Sequence, residues 1–188
     1  MPYRKFRFAA GAHYHVFNRG NNRQDVFLER DNYLLFLRLI RKYMIEPGAV
    51  DLLAYCLMPN HYHLLLRLNV DDLGGAMQPM LLSYTKSLNN RYRRTGSLFQ
   101  GRFKAVLVER EAHWKYLTAY IHRNPVEGGL ARSPEAWPYS SYREYLGLRQ
   151  GTLVQPQRVW EGTPHEYRQF VEGLGEAGKK RIEHLVVE

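Results

Sequence analysis

The sequence lacks the features of a disulfide-stabilised or membrane-spanning protein. Cys56 is its only cysteine among 188 residues, so the chain can form neither an internal disulfide nor a cysteine-built zinc site. No apolar run approaches the roughly 18 residues of a spanning helix, and the N-terminus lacks the hydrophobic segment of a signal peptide. We therefore expect a soluble, cytoplasmic, nucleoid-associated protein with Cys56 in its core.

Acidic residues are the minority charge. Lys and Arg number 27 against 18 Asp and Glu, a net charge of +9 and a pI near 9.7, which favours a polyanionic partner such as nucleic acid. In "SYTKSLNNRYRRTGSLFQGRFK" basic and aromatic residues alternate, and these residue types bind phosphates and unstacked bases. The alternative is a solvated helix end with aromatics in the core. The candidate DNA-binding residues here are Lys86, Arg91, Arg93, Arg94, Arg102 and Lys104.

A polar Gly/Asn loop, "NRGNNRQD", follows the first predicted strand. A solvated turn and a contact surface for DNA phosphates or a flipped base explain its composition equally well. The candidate DNA contacts in this loop are Arg19, Asn21, Asn22 and Arg23.

Apolar patterning predicts alternating strands and helices. Strands are expected over residues 12–18, in "VDLLAYCLM" and "HYHLLLRL", joined as a hairpin by "PN", and in "KAVLVE". The order β-α-β-β-α-β followed by one more helix is typical of the ferredoxin-like split βαβ fold. We expect an α+β domain over residues 1–147, with one antiparallel sheet and helices on one face, and a C-terminal helical extension over residues 148–188.

Polar residues and proline mark the expected helix ends. Asp31 can cap the first helix, and Asp71 or Asp72 can start the second. Pro125 should end the third helix at Asn124.

Two histidines begin the second arm of the hairpin, in "MPNHYHLLLRL". Alternate strand residues share a face, so His61 and His63 point the same way about 6.6 Å apart and can share one ion. His13 and His15 form a second such pair, which we interpret as structural. In the predicted fold the first and third strands are neighbours, so His15 should lie close behind the metal site.

The third helix presents a phenol and an amide on one face. Tyr120 and Asn124 are four residues apart. If that face turns toward His61 and His63, two imidazoles and one amide oxygen can hold Mg²⁺ or Mn²⁺ with positions left open for substrate oxygens. Tyr120 would then attack a phosphodiester as a nucleophile and conserve the bond energy for strand transfer.

The sequence resembles the REP-associated tyrosine transposases, single-tyrosine members of the HUH (His-hydrophobic-His) superfamily. The resemblance covers residues 12–147 and rests on "YHVFNRGNNRQDVF", "LMPNHYHLLL", "GSLFQGRFKAVLVE", "YIHRNPVEGGL" and "WPYSSYREYLG". By resemblance, His61, His63 and Asn124 are the metal ligands and Tyr120 is the nucleophile. The family implies a ferredoxin-like fold, Mg²⁺ or Mn²⁺, and cleavage of single-stranded DNA near hairpin-forming palindromes through a 5′-phosphotyrosine.

Two tyrosines differ from the family pattern. Tyr116 precedes Tyr120 by one turn and is the candidate second nucleophile, as in relatives with paired tyrosines; we prefer Tyr120 because Asn124 is one turn from it. Tyr62 stands between the two histidines, where an apolar residue is expected, and should pack its ring in the core.

Two rival functions are compared with the transposase hypothesis. One is a non-catalytic binder of nucleic-acid hairpins with the fold of sheet-based RNA-binding modules. The other is a zinc hydrolase, which ranks last because no His-Glu-x-x-His helix is present. We expect a protein that binds single-stranded DNA, with a monomer slightly favoured over a dimer.

Overall fold

The computed structural model of the protein describes residues 7–186. Within that range four strands form one sheet in the order β2-β3-β1-β4. The strands are β1 (His13–Arg19), β2 (Val50–Met58), β3 (His61–Leu68) and β4 (Lys104–Leu107). The α-helices are α1 (Arg30–Ile40), α2 (Leu73–Tyr92), α3 (Glu111–Glu127), α4 (Tyr142–Tyr145), α5 (Pro164–Glu172) and α6 (Glu176–Ile182). A π-helical turn follows α1 over Arg41–Ile45, and short 3-10 helices occupy Asn21–Arg23, Pro134–Ala136, Pro156–Arg158 and Glu183–Leu185.

The sheet has the predicted ferredoxin-like topology. Every strand pair is antiparallel, and β1 lies between β3 and β4. The tight turn Pro59–Asn60 joins β2 to β3 as the predicted hairpin. The register aligns His15 with Leu65 and Phe17 with His63, so the central strands bring the histidines of β1 and β3 together. The predicted α+β fold with one antiparallel sheet is confirmed.

Helices α1 and α2 cover one face of this sheet. Alternation along β3 points Tyr62, Leu64 and Leu66 to that face, where all three are buried. The Tyr62 ring centroid lies 5.0 Å from that of Phe36 in α1, and Tyr84 of α2 packs against the same phenylalanine. Tyr62 therefore fills the core as expected, and burial raises its pKa far above the usual range for tyrosine.

Helix α3 and the C-terminal helices cover the opposite face. Leu117 and Ile121 of α3 share a buried cluster with Leu65 of β3 and with Tyr167 and Ile182 of the extension. The expectation of helices on one face is correct for α1 and α2 and wrong for α3. The physical reason is that β2 is apolar on both faces and β3 adds Leu65 on the second face, so each face must be covered.

Two predicted helix ends are wrong. Helix α1 begins at Arg30 rather than after an Asp31 cap, because the side-chain oxygen of Asn32 accepts from the backbone N–H groups of Leu28 and Glu29. Helix α3 runs past Asn124 to Glu127. Proline removes only its own N–H from the helix, and the Gly128 N–H still bonds the Asn124 carbonyl at 2.9 Å. The predicted Asp72 cap of α2 is confirmed by its bond to the Gly75 N–H.

Between residues 7 and 186, no helix is both long and apolar enough to cross a bilayer.

We expect Phe36→Ala to lower the free energy of unfolding by about 3–5 kcal/mol, because it removes a fully buried ring that contacts both β3 and α2. The matched control is Leu82→Ala on α2, whose side chain is 67% exposed. It should change the free energy by less than about 0.5 kcal/mol. Urea denaturation measures both, and equal effects would contradict this description of the core.

Candidate active site

The two histidines of β3 lie on the sheet face that α3 covers. Their ring centroids are 5.0 Å apart and the rings are nearly perpendicular. His61 stands at the start of the strand, opposite Arg19, and is partly exposed, whereas His63 is buried opposite Phe17. The strand alternation thus places both imidazoles on one side, as the sequence predicts.

Helix α3 brings the predicted phenol and amide to these rings. The Asn124 Oδ1 atom lies 3.0 Å from His61 Nε2. The Tyr120 ring meets the His63 ring edge to face, with centroids 5.9 Å apart. The structure therefore gathers all four predicted residues into one site that is buried at His63 and half-open at Tyr120 and His61.

Tyr116 faces the C-terminal extension. Its ring packs against Phe170 of α5, with centroids 5.4 Å apart, and the Arg181 guanidinium lies 5.2 Å from its centroid. This position is one helical turn from Tyr120, toward the start of α3.

Asn60 orients the first histidine. Its Nδ2 donates to the Arg23 carbonyl, which turns its Oδ1 toward His61 Nδ1 at 2.6 Å. An amide oxygen only accepts, so in its neutral form the His61 ring carries its proton on Nδ1. The His61 Nε2 lone pair then faces the Asn124 Oδ1 lone pairs across 3.0 Å.

A divalent cation fits this pair of acceptors. Octahedral metal–ligand bonds of about 2.1 Å place adjacent ligand atoms about 3.0 Å apart, which matches the distance between His61 Nε2 and Asn124 Oδ1. In residues 7–186 no group of three or more His, Cys, Asp or Glu side chains is arranged to hold a metal. The available donor set is therefore two imidazoles and one amide, which suits an open, exchangeable site better than a closed zinc site.

The second histidine is held neutral. Burial, followed by the charges of His15 and His61, lowers the pKa of His63 well below its usual value. Burial also lowers the pKa of His15 to about 4. His63 Nδ1 lies 3.0 Å from His15 Nε2, so the expected position of His15 close behind the site agrees with the structure. A neutral imidazole is the form that binds a metal.

The polar loop after β1 lies at the same end of the sheet as His61. Gly20 forms a bridge with Phe99, the Asn21 N–H donates to the Leu98 carbonyl, and the Gln100 N–H donates to the Arg19 carbonyl. The loop and the segment after α2 are thus joined. Arg19 is the direct β1 neighbour of His61. We call this end of the sheet the active-site end.

The other basic candidates differ in what they contact. Lys104 begins β4 at the active-site end, with its ammonium 5.6 Å from the Phe17 ring centroid. Arg94 donates to Gln24 at 2.5 Å in the same loop. Arg91 forms ion pairs with Glu29 and Asp31, so its charge is largely offset. The remaining candidates, which are all exposed, are Asn22, Arg23, Lys86, Arg93 and Arg102.

The extension contributes residues that sequence reasoning missed. A cleft beside Tyr120 is lined on its other side by α6 and the turn after it, including Lys179, Lys180 and Glu183. The basic run "GKKR" was the available signal, but it carried no indication of where the segment packs. Asn60 was also missed, although it adjoins His61 in the sequence.

Comparison with known proteins agrees with this geometry. The family model of IS200-like transposases matches residues 9–124. A Haemophilus influenzae protein that bears the name of a REP-associated tyrosine transposase is 28% identical over an alignment of 145 positions, which covers 71% of this chain and 79% of that protein. A solved structure of a REP-associated tyrosine transposase bound to a REP hairpin covers 82% of this chain and 97% of its own, with a TM-score of 0.66 and 17% identity.

The chain belongs to the IS200-like transposase family, a class of DNA-processing tyrosine transposases. Within it, the resemblance to the REP-associated tyrosine transposases is confirmed.

His122 of α3 joins the helix to Tyr167 of the extension and to Ser141. Its two nitrogens lie 2.7 Å from the Tyr167 hydroxyl and 2.8 Å from the Ser141 hydroxyl, and the residue is fully buried. Burial, and then the charge of Arg149, lowers the pKa of His122 from 6.5 to about 3. Between these two values the His122 side chain is therefore neutral in the folded protein and protonated in the unfolded chain.

We expect His122 to make the fold sensitive to acid. The contribution of neutral His122 to the free energy of unfolding is complete above pH 6.5 and is lost as the pH falls toward 3. Between pH 7 and pH 5 this group should lower the free energy of unfolding by about 2 kcal/mol. Urea denaturation at pH 7 and pH 5 measures the free energy of unfolding at each pH. The difference between the two should be about 2 kcal/mol smaller in His122→Gln than in the wild type, because glutamine does not titrate. An unchanged difference would contradict the buried, neutral state.

Proposed function

We propose that the protein is a metal-dependent, single-strand-specific DNA endonuclease and strand transferase that acts at hairpin-forming palindromes. The observation that carries this proposal is the 3.0 Å contact between His61 Nε2 and Asn124 Oδ1, with Tyr120 one turn away against His63. It supports Tyr120 as the nucleophile and His61, His63 and Asn124 as the ligands of Mg²⁺ or Mn²⁺.

The residues supply a complete transesterification. A bound divalent ion would polarise the scissile phosphate and stabilise charge on its oxygens. The Tyr120 oxygen attacks phosphorus, the bond from phosphorus to the 3′-oxygen breaks, and the phenolic proton ends on the released 3′-hydroxyl. The product is a 5′-phosphotyrosine, which a second 3′-hydroxyl can attack to rejoin the strand and restore the tyrosine.

The charge distribution supports a hairpin DNA partner. Arg19 and Lys104 lie at the active-site end, next to the loop that Asn21 and Gln100 join to the segment after α2. A structurally similar REP-associated transposase has been solved with a REP hairpin bound to it. Backbone phosphates of a hairpin would lie along the same end of the sheet as the site of cleavage.

The geometry also supports action as a monomer. Helix α3 packs against α5 and α6 of its own chain. Arg123 of α3 donates to the Val171 and Glu172 carbonyls, and Lys179 pairs with Glu127. The tyrosine helix is thus held by its own extension, which favours a nucleophile and ligands from one chain.

The rival functions are less well supported. A sheet-based binding module needs an exposed sheet face for stacking bases, whereas here α1 and α2 cover one face and α3 covers the other. A zinc hydrolase typically needs three protein ligands and a carboxylate base, and residues 7–186 contain no group of three or more His, Cys, Asp or Glu side chains that could hold a metal.

We expect Tyr120→Phe to abolish a covalent protein–DNA adduct, a loss on the order of 1,000-fold or more, because it removes the nucleophilic oxygen and keeps the ring that contacts His63. The assay is a denaturing gel of purified protein incubated with labelled single-stranded hairpin DNA from the flanks of its gene and Mn²⁺ or Mg²⁺. Tyr116→Phe is the matched control and should retain the adduct.

Three outcomes of this assay contradict the proposal. An adduct that persists in Tyr120→Phe and disappears in Tyr116→Phe would show that Tyr116 is the nucleophile. An adduct in wild type that chelator does not affect would remove the metal from the mechanism. Hairpin binding without adduct or cleavage in wild type would support the non-catalytic binder.

We expect Arg19→Gln to weaken hairpin binding and to reduce the slope of log affinity against log salt concentration by about 0.7–0.9, the loss of one phosphate contact. Fluorescence anisotropy over a salt series measures both. The control is Arg91→Gln, whose charge Glu29 and Asp31 already offset, and its slope should stay near wild type. A larger change for Arg91 than for Arg19 would move the DNA surface onto α2.

A further inference from the structure

We propose that His15 is a positioning residue for His63, and that the backbone carbonyl of Leu185 sets the orientation of His15. In this arrangement the C-terminal extension determines which nitrogen of His63 is presented to a metal. The metal-binding part of this inference rests on the proposed function, whereas the proton arrangement of the two rings does not.

Hydrogen-bond donor and acceptor rules determine which ring nitrogen of His15 and of His63 carries the proton. The Leu185 carbonyl lies 2.7 Å from His15 Nδ1 and can only accept, so the His15 proton is on Nδ1. The Nε2 of a neutral His15 must then accept, and it lies 3.0 Å from His63 Nδ1. The His63 proton is therefore on Nδ1, which leaves its Nε2 lone pair as the ligating atom.

Packing holds both rings in this orientation. His15 and His63 are 0% and 1% exposed, and their rings lie nearly parallel with centroids 5.2 Å apart. The Phe17 ring stacks 4.9 Å from the first and 6.0 Å from the second. Both rings are packed on their faces, and water does not compete at these buried nitrogens.

The other histidine of β3, His61, has an acceptor at the same ring nitrogen as His63. Asn60 accepts from Nδ1 of His61, and His15 accepts from Nδ1 of His63, so both histidines present Nε2. Partners that accept from the non-ligating nitrogen of a metal-bound histidine typically contribute 10–100-fold to metal affinity. The partner of His61 is local in sequence, whereas that of His63 depends on a carbonyl 170 residues beyond His15.

The buried side chains near that carbonyl explain how the extension can hold it in place. Ile182 and Leu185 are 0% and 1% exposed and share the cluster that contains Leu117 and Ile121 of α3. Docking of the last turns of the chain on α3 therefore brings the Leu185 carbonyl to His15. The same packing therefore completes the series of hydrogen bonds from the Leu185 carbonyl through His15 to His63.

The direct test is the protonation pattern of the histidine rings in metal-free protein. Long-range ¹H–¹⁵N NMR distinguishes the two tautomers of a neutral imidazole. We expect Nδ1–H for both His15 and His63 in the wild type. A wild-type spectrum with the His63 proton on Nε2 overturns the inference without any variant or metal.

Variants at His15 test its effect on metal binding. His15→Leu removes the acceptor and should weaken Mn²⁺ binding, measured by titration calorimetry and Mn²⁺ electron paramagnetic resonance, by about 10–100-fold. His15→Gln offers an amide oxygen near the Nε2 position and should restore the affinity to within about threefold. The control is His13→Leu, which removes a ring that stacks on Trp114 on the same strand face and lies opposite Arg67, four positions along β3 from His63.

The outcomes separate this inference from the proposed function. Equal Mn²⁺ affinity for wild type and His15→Leu, or equal loss in His15→Leu and His13→Leu, overturns the positioning role. A wild type that binds no Mn²⁺ but shows Nδ1–H on both rings contradicts the proposed metal site and supports the tautomer chain. If His15→Leu does not fold, the wild-type spectrum and His15→Gln still decide.

Discussion

The packing of α3 on the histidine face of the sheet is the constraint on which the rest of the structure depends. Strand β2 is apolar on both faces and β3 adds Leu65 on the second face, so α1 and α2 cannot bury the sheet alone. Covering the second face with α3 brings Asn124 to His61 and Tyr120 to His63. Burial of apolar surface thus assembles four polar groups that lie far apart in sequence, and the candidate active site follows from the way the core closes.

The C-terminal extension is part of that same core. Its buried residues share one cluster with α3, and His122 joins the helix to the hydroxyls of Tyr167 and Ser141. The extension also supplies the acceptor behind His15 and one wall of the cleft beside Tyr120. The candidate metal ligands, the candidate nucleophile and the docking of the extension up to residue 186 are therefore linked through one helix.

Local patterns were sufficient for the strands, the hairpin and the shared faces of the four candidate site residues. Strand alternation gave the shared face of His61 and His63, and the helical repeat gave the shared face of Tyr120 and Asn124. The missed features depend on long-range contacts. The side of the sheet that α3 covers, the carbonyl at Leu185 and the ion pairs of Arg91 have no periodic signal. Pro125 misled the prediction of the end of α3 because proline removes one hydrogen bond, and a bond one turn later still closes the helix.

The central claim is that the sheet histidines and α3 together form a divalent-metal site. The most direct measurement is anomalous X-ray diffraction from crystals of the protein grown with Mn²⁺. The account predicts one strong anomalous peak within bonding distance of His61 Nε2, His63 Nε2 and Asn124 Oδ1, next to the Tyr120 hydroxyl. A protein saturated with Mn²⁺ that shows no peak there, or shows its peak at other residues, would contradict it.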